Sequence, residues 1–524
     1  MNMRPLWIAS WLAGCAGSLA LAGCLAAGPI EQDRTNRATA NPSVHEVDHD
    51  THWLIIGGGS RPTSNQFSLE SNFLYYQRLL DQTDLPSVLR HFLFADGGTD
   101  QRDLQYRLDE DQLSEQDRMR LTLAQIMGQT NEILNRYRAN QVPDLAGPAS
   151  REQIHGWFDE KADQLQSGDR VFIYFTGHGI GGTDDDKHNT TMQLWDSNSA
   201  YRMYELADQF DKLPADVQII MLMVQCHSGG FAHIIFNDGK PANGLAEQTR
   251  IGFFATIPER LAAGCSPSVD EANFQEYSSY FWAGLFGENR IGQPVQTPDF
   301  NGDGRVSLAE AHAHVLLTSR TIDIPITTSD ALLRQYSTIQ GDDVLGEDTD
   351  YSLIRDHAEP HQAAVLDGLS DMLELTGSDR IAQAQRKAQA IEQQREDLAE
   401  QRDELRQSHN RHRRRIANSL LHTWPELRNA WHPVLPELLE TDGPEMIQTI
   451  ESHRAYDRLL ETRQRISEIS HERHQLEVDW VMHQRFIYTA KSVLKAINLP
   501  EVADEQIVEH YHRIIDAENA VLAF

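Results

Sequence analysis

The sequence predicts an α/β fold: a sandwich of helices around a mainly parallel sheet, followed by an all-α region. Three observations carry this. The runs Asp169–Phe175 and Val217–Val224 are continuously apolar apart from their ends, as in strands buried on both faces. Helical patterns stand between such runs, which argues for a parallel sheet with helical crossovers. Beyond residue 350 the strand signals stop and long helical patterns begin.

Taken in order, His52–Ile56 is a strand running into Gly57-Gly58-Gly59. Residues 68–82 place Leu69, Phe73, Tyr76 and Leu80 at helical spacing, with Ser68 as N-cap. His91–Phe94 is a second strand ending at Asp96-Gly97-Gly98, and the polar stretch 99–118 reads as a surface insertion. Ser150 and Gln153 form a capping-box pattern that opens a helix to about Leu165. Asp169–Phe175, Val217–Val224 and Ile251–Ala255 complete five strands. In such sheets reactive groups gather at the carboxyl ends of the strands.

The formal charge is −32, from 46 Lys plus Arg against 78 Asp plus Glu. A polyanion has few cations to displace the counterions of nucleic acid, so nucleic acid is excluded as a general partner. It is also repelled by anionic lipid surfaces, so any membrane attachment has to be covalent or hydrophobic. The N-terminus offers one. Arg4 precedes an apolar run from Pro5 to Ala27 that ends in Leu21-Ala22-Gly23-Cys24. This resembles the bacterial lipobox, which implies a signal peptide at 1–23 and a lipidated Cys24. A second copy at Leu12–Cys15 would leave a short apolar segment. An ordinary cleaved signal or an uncleaved anchor helix is the alternative. Leu25 after Cys24 implies the outer membrane, by resemblance to the sorting rule. Residues 24–50 read as a tether. Beyond the signal only Cys226 and Cys265 remain, too few for a disulfide framework. Either they pair once, or at least one is a free thiol kept for its chemistry.

Two buried strands end in notable loops. One runs into Thr176-Gly177-His178-Gly179, the other into Gln225-Cys226-His227-Ser228-Gly229-Gly230. A cysteine nucleophile needs a base or an electropositive setting, and His178 can supply the base across the strand ends. The glycines allow sharp turns that bring N–H groups toward a substrate carbonyl.

The order strand–His-Gly, then strand–Cys, resembles the caspase-like cysteine peptidases, which include caspases, legumains, gingipains and metacaspases. The closest flavour is legumain-like, in a bacterial version, over residues His52 to about 320. The resemblance implies a caspase-type α/β/α sandwich over 51–337. It makes Cys226 the nucleophile and His178 the general acid/base, and it puts the backbone N–H groups of Gly179 and Cys226 in the oxyanion hole. By the same resemblance Glu276, six residues before Trp282, would line the pocket for the residue preceding the cut; a plain surface position at the start of a helix is the alternative. The pocket arginine that legumains carry after the first strand has no counterpart in Ser64–Ser68, so an acidic pocket suited to Arg or Lys is as open as one for Asn. His227 reads as a solvent-facing loop residue, and Cys265 as a small buried or loop residue.

Asp299-Phe-Asn301-Gly-Asp303-Gly304-Arg305-Val-Ser307-Leu-Ala-Glu310 fits the twelve-position calcium loop. Asp299, Asn301, Asp303 and Glu310 would offer side-chain oxygens and Arg305 its carbonyl. Pro298 forbids a normal incoming helix, so the expectation is a single loop holding structural Ca²⁺. An acidic turn capping the next helix is the alternative.

Residues 338–350 read as a linker. Residues 379–421 and 445–497 read as two helices of an antiparallel hairpin, with a further helix at 500–522. Ile391, Leu398 and Leu405 repeat at seven, but Arg395 and Arg402 interrupt the seam of a coiled coil. This region, 351–524, has no catalytic motif; its roles would be partner binding, spacing from the membrane, or covering a site. The sequence therefore points to a lipid-anchored cysteine endopeptidase of the cell envelope, acting on protein or peptide through a thioester. A calcium-stabilised scaffold with a helical partner-binding arm, and a transamidase, are the competing readings.

Overall fold

The computed structural model describes residues 50–128, 134–195, 201–266, 268, 274–429 and 432–522. The expected signal at 1–23, Cys24 and the tether up to residue 49 lie outside them. Among the described residues no helix is long and apolar enough to cross a membrane.

The strands are β1 (Thr51–Gly58), β2 (Arg90–Phe94), β3 (Leu104–Arg107), β4 (Asn135–Arg138), β5 (Arg170–Gly177), β6 (Gly179–Ile180), β7 (Thr191–Met192), β8 (Tyr201–Arg202), β9 (Gln218–Met223), β10 (Arg250–Phe254) and β11 (Ile326–Thr327). Six of them form the central sheet in the order β11-β10-β9-β5-β1-β2. All neighbours are parallel except β11, which runs antiparallel to β10. The polar insertion after β2 carries regular structure, since β3 within it pairs with β4 beyond it as an antiparallel ribbon.

The helices are α1 (Phe67–Leu80), α2 (Glu115–Met127), α3 (Arg151–Gln164), α4 (Met203–Phe210), α5 (Tyr277–Phe286), α6 (Leu308–Thr318), α7 (Thr328–Tyr336), α8 (Tyr351–Asp356), α9 (Pro360–Met372), α10 (Arg380–Thr423), α11 (Leu435–Thr441), α12 (Gly443–Glu451), α13 (Tyr456–Val502) and α14 (Glu505–Glu518). Burial along β1, β5 and β10 is nearly continuous, so both faces of the sheet are covered. On one face Trp53 stacks on Phe172, and Trp282 of α5 lies against Tyr76 of α1 and Tyr174. Phe158 of α3 meets Phe210 of α4 in the same core. Ser68 is not the N-cap of α1. Gln66 holds that position without a side-chain bond, and Ser68 Oγ instead accepts the Ser266 N–H at 2.8 Å.

The stretch 338–350 does not divide two independent domains. Val481, Leu499, Tyr511, Ile514 and Leu522 belong to the same core as the sheet, and His49 to Phe524 form one compact unit. Glu518 of α14 accepts bonds from Thr328 Oγ1 (2.9 Å), Ser329 N–H (3.0 Å) and Ser329 Oγ (2.8 Å), so the last helix caps α7. The long helices α10 and α13 pack side by side as the expected hairpin. At their far end Ile416, Leu420 and Leu459 share a core with Leu123 and Ile126 of α2, so the arm is bound back onto the insertion. Sequence patterning misjudged this because α13 changes character along its length. Its first half is mainly polar, while from Val478 onward it buries residues on several sides.

Candidate active site

The register of β5 against β9 sets the two loops side by side. Phe175 pairs with Met223, so three residues further on, past both strand ends, His178 comes level with Cys226. The loops touch closely. A Cβ on Gly179 would lie 2.0 Å from the Cys226 carbonyl oxygen, so only glycine fits there. Chain sterics thus explain the His-Gly dipeptide, whatever chemistry the pair performs.

His178 is half-buried, and its Nε2 lies 2.8 Å from the Ser64 carbonyl oxygen. A carbonyl can only accept, so Nε2 carries the proton and Nδ1 keeps its lone pair on the opposite side of the ring. Burial lowers the imidazole pKa, with the Ser64 bond working the other way. The carbonyl comes from the loop after β1, where Gly59 N–H bonds to Asn65 Oδ1 (3.1 Å) and Asn65 Nδ2 to Asp103 (3.2 Å). No side-chain pattern announces such a backbone contribution.

Cys226 is half-buried and unpaired by any disulfide. The Ala262 N–H points at its sulfur, 3.3 Å away. Burial raises the Cys226 thiol pKa, and the Ala262 bond offsets part of that. His227, next in the chain, has a left-handed backbone (φ 62). Contrary to the expectation of a solvent-facing residue, it is pinned: its N–H donates to Arg260 O (2.8 Å), and its Nδ1 lies 2.7 Å from Pro258 O.

Cys265 is the departure the sequence did not foresee. It is exposed, with its sulfur 3.5 Å from His178 Nδ1. Crowding by the surrounding atoms raises its thiol pKa, and charge on Cys226 and Glu276 adds to this. Exposure of the side chain lets water offset part of that rise. The structure therefore brings together two thiols and one imidazole, not a simple pair. The lone pair of His178 faces Cys265 in this conformation, while the backbone amide faces Cys226.

Glu276 does not line an open pocket. It is 2% exposed, and it accepts from Ser278 N–H (2.8 Å), Ser278 Oγ (2.7 Å), Ser279 N–H (2.7 Å) and Ser279 Oγ. Four bonds fill the acceptor sites of a carboxylate, so Glu276 is the N-cap of α5. The spacing to Trp282 that suggested a pocket is that of a cap followed by a helix with two serines in its first turn. An arginine does reach this cap, from elsewhere in the chain. Arg290 bonds to Ser279 Oγ (3.1 Å) and to Asn72 Oδ1 (2.9 Å), and Asn72 bonds to Thr176 (3.1 Å), two residues before His178.

The loop at 299–310 holds the geometry of a tight acidic turn, with positive φ at Gly302 and Gly304. Asp299 accepts from the N–H groups of Gly302 (2.8 Å), Asp303 (3.1 Å) and Gly304 (2.9 Å). Asp303 accepts from Arg305 N–H at 2.8 Å, and Asn301 Oδ1 from Asp303 N–H at 2.9 Å. Glu310 accepts from Phe300, Asn301 and Ser307 N–H groups and from Ser307 Oγ, and so also caps α6. Asp299, Asn301, Asp303 and Glu310 thus lie along one turn with their oxygens engaged by backbone N–H groups, and the four bonds on Glu310 fill its carboxylate as they do that of Glu276. Among the described residues the acidic side chains gathered within ligand distance of one another are instead Asp208, Asp211 and Asp238.

No family model and no curated protein matches the chain. Among solved structures, a protein from Geobacter sulfurreducens is 11% identical and aligns with 53% of this chain and 93% of its own, at a TM-score of 0.30.

Proposed function

We propose that the chain is a cysteine endopeptidase of caspase-like type, with Cys226 as nucleophile and His178 as general acid/base. The observation that supports this best is the pairing of an oriented imidazole, Nε2–H on Ser64 O, with a thiol carried level with it on the neighbouring strand end. Cys226 is preferred over Cys265 because it follows a buried strand and has a backbone N–H on its sulfur. In the reaction the Cys226 sulfur bonds to the peptide carbonyl carbon, and the C–N bond breaks as His178 delivers the thiol's proton to the leaving amine. Water then hydrolyses the thioester. Gly179 and Cys226 N–H groups would stabilise the oxyanion. A peptide-library cleavage profile of the purified protein tests the reading; absence of any cleaved peptide would reject it. Capture of the thioester by an amine in place of water would move the assignment to transamidase.

We further propose that the loop at 299–310 binds calcium and acts structurally. Calcium at a hundredfold excess over Kd should stabilise the fold by about 2.7 kcal/mol. Glu310→Gln should abolish the difference between melting curves with calcium and with chelator. Comparing those two curves removes the cost of the weakened α6 cap, which is present in both. Coincident curves for the unaltered protein would leave the loop as a helix cap alone.

We place the protein at the cell envelope, held by lipid on Cys24. Cys24→Ala should move it from the membrane fraction to the soluble fraction. Retention of the unprocessed variant in the membrane would make the N-terminus a spanning anchor.

A further inference from the structure

The segment that follows β10 wraps the candidate nucleophile. Thr256 O accepts Gly229 N–H (2.8 Å), Pro258 O meets His227 Nδ1 (2.7 Å), and Arg260 O accepts His227 N–H (2.8 Å). Ala262 N–H then reaches Cys226 Sγ. These bonds hold His227 in a backbone conformation that a non-glycine residue adopts at a cost. The position of residues 258–263 thus sets the environment of the sulfur.

That segment is itself held from the C-terminal hairpin. Arg260 donates to Glu477 of α13 at 2.8 Å, and its guanidinium lies 4.9 Å from the Trp480 ring centroid. Glu477 also meets Arg395 of α10 at 3.3 Å, so one carboxylate ties both long helices to the loop. On the other side of Ala262, the Ala263 N–H bonds to Asp323 Oδ1 (2.7 Å), and the Asp323 carbonyl accepts from Arg485 of α13 (2.9 Å). The helix grips the loop on both sides of the amide that faces the thiol.

We propose that Arg260 is a positioning residue, through which α13 sets the Ala262 amide against Cys226. The inference rests on the peptidase reading for its consequence, but its geometry concerns the sulfur alone. The tie is partly exposed, at 20% for Arg260 and 27% for Glu477. Loss of one partly exposed ion pair moves fold stability little, so a purely structural role would hardly be missed. A positioning role would be, because a displacement of about 1 Å can cost about a hundredfold in rate. Loss of an N–H donor to sulfur also disfavours the thiolate.

The test uses the full chain and its Arg260→Gln, Glu477→Gln and Arg260→Lys variants. Two quantities are read: kcat and KM on a cleaved peptide, and the pH midpoint of iodoacetamide labelling at Cys226, resolved from Cys265 by peptide mapping. Both Gln variants should lose about tenfold in kcat with KM within about twofold, and the labelling midpoint should rise by about half a pH unit. Arg260→Lys should recover most of both, and melting temperatures should stay within about two degrees. Unmoved kcat and midpoint in a protein that cuts peptide would overturn the positioning role and leave the peptidase standing. A midpoint that moves in a protein that cuts nothing would support the positioning role and sink the peptidase. Losses that track a fall in melting temperature would also overturn the positioning role.

Discussion

Cys226→Ala should lower peptide cleavage by at least about a thousandfold, while Cys265→Ala should retain or raise it. The first effect is large because nucleophile and base act as a unit, so removing one removes the covalent route. The second follows from where the lone pair of His178 points. Cys265 Sγ stands 3.5 Å from Nδ1 and competes for the base that Cys226 needs. Replacing Cys265 with Ala frees Nδ1 and leaves the Ala262 N–H on Cys226 in place. Steady-state kinetics of the two variants, with their circular dichroism compared to show intact folding, reads both effects. Loss of activity on Cys265→Ala with activity kept by Cys226→Ala would exchange the roles of the thiols. The pH profile carries a second expectation. The base must be neutral to act, and burial lowers the His178 pKa below its ordinary value. The acid limb of kcat/KM should therefore sit below about 6.5, the value of an unperturbed imidazole.

The parts legible in the sequence were those written in side-chain pattern. Continuous apolar runs mark β1, β5, β9 and β10, because both faces of these strands are covered. His178 and Cys226 stood out because each follows such a strand, and parallel register does the rest. What stayed hidden was set by backbone atoms and long-range packing. The Ser64 carbonyl and the Ala262 amide belong to unremarkable residues, and any residue could supply them. Cys265 lies in a loop whose path is fixed by Ser266 bonding back to α1, a contact across 198 residues. Glu276 shows the opposite error. A spacing borrowed from resemblance offered it to substrate beside the plainer reading of a helix start, and the two following serines, plain in the sequence, are what it caps. The expected boundary at 338–350 failed for a related reason. Polar, glycine-containing composition marks a turn in the chain, and says nothing about whether the helices beyond it return to the first core.

That return makes Arg485 the side chain whose loss should cost the fold most. It lies 1% exposed, donating through Nη1 to Ser319 O (2.9 Å) and Leu316 O (3.2 Å), through Nη2 to Thr321 Oγ1 (3.1 Å), and through Nε to Asp323 O. The carbonyls at the end of α6 have no partner within the helix, and the positive charge of Arg485 also suits the negative end of the α6 dipole. Burial lowers the Arg485 pKa to about 10, which still leaves it charged at neutral pH. Arg485→Met keeps the apolar stem and removes every donor. The carbonyls of Leu316, Ser319 and Asp323 then stay buried without this partner, at about 1–3 kcal/mol for each unsatisfied group. Allowing for relaxation and water entry, the expected loss is about 3–5 kcal/mol, the range for breaking a buried charged network. Urea denaturation should show the midpoint falling with an unchanged slope. Arg458→Met, which breaks an exposed pair with Glu461 on the same helix, supplies the control and should shift stability by no more than about 0.5 kcal/mol. Equal effects from the two substitutions would mean that α13 does not hold the core through Arg485. A loss confined to Arg485→Met would show that the C-terminal helices are part of the fold that carries the site, because the group removed bonds to α6, Thr321 and Asp323, and Asp323 in turn holds Ala263 beside Cys226.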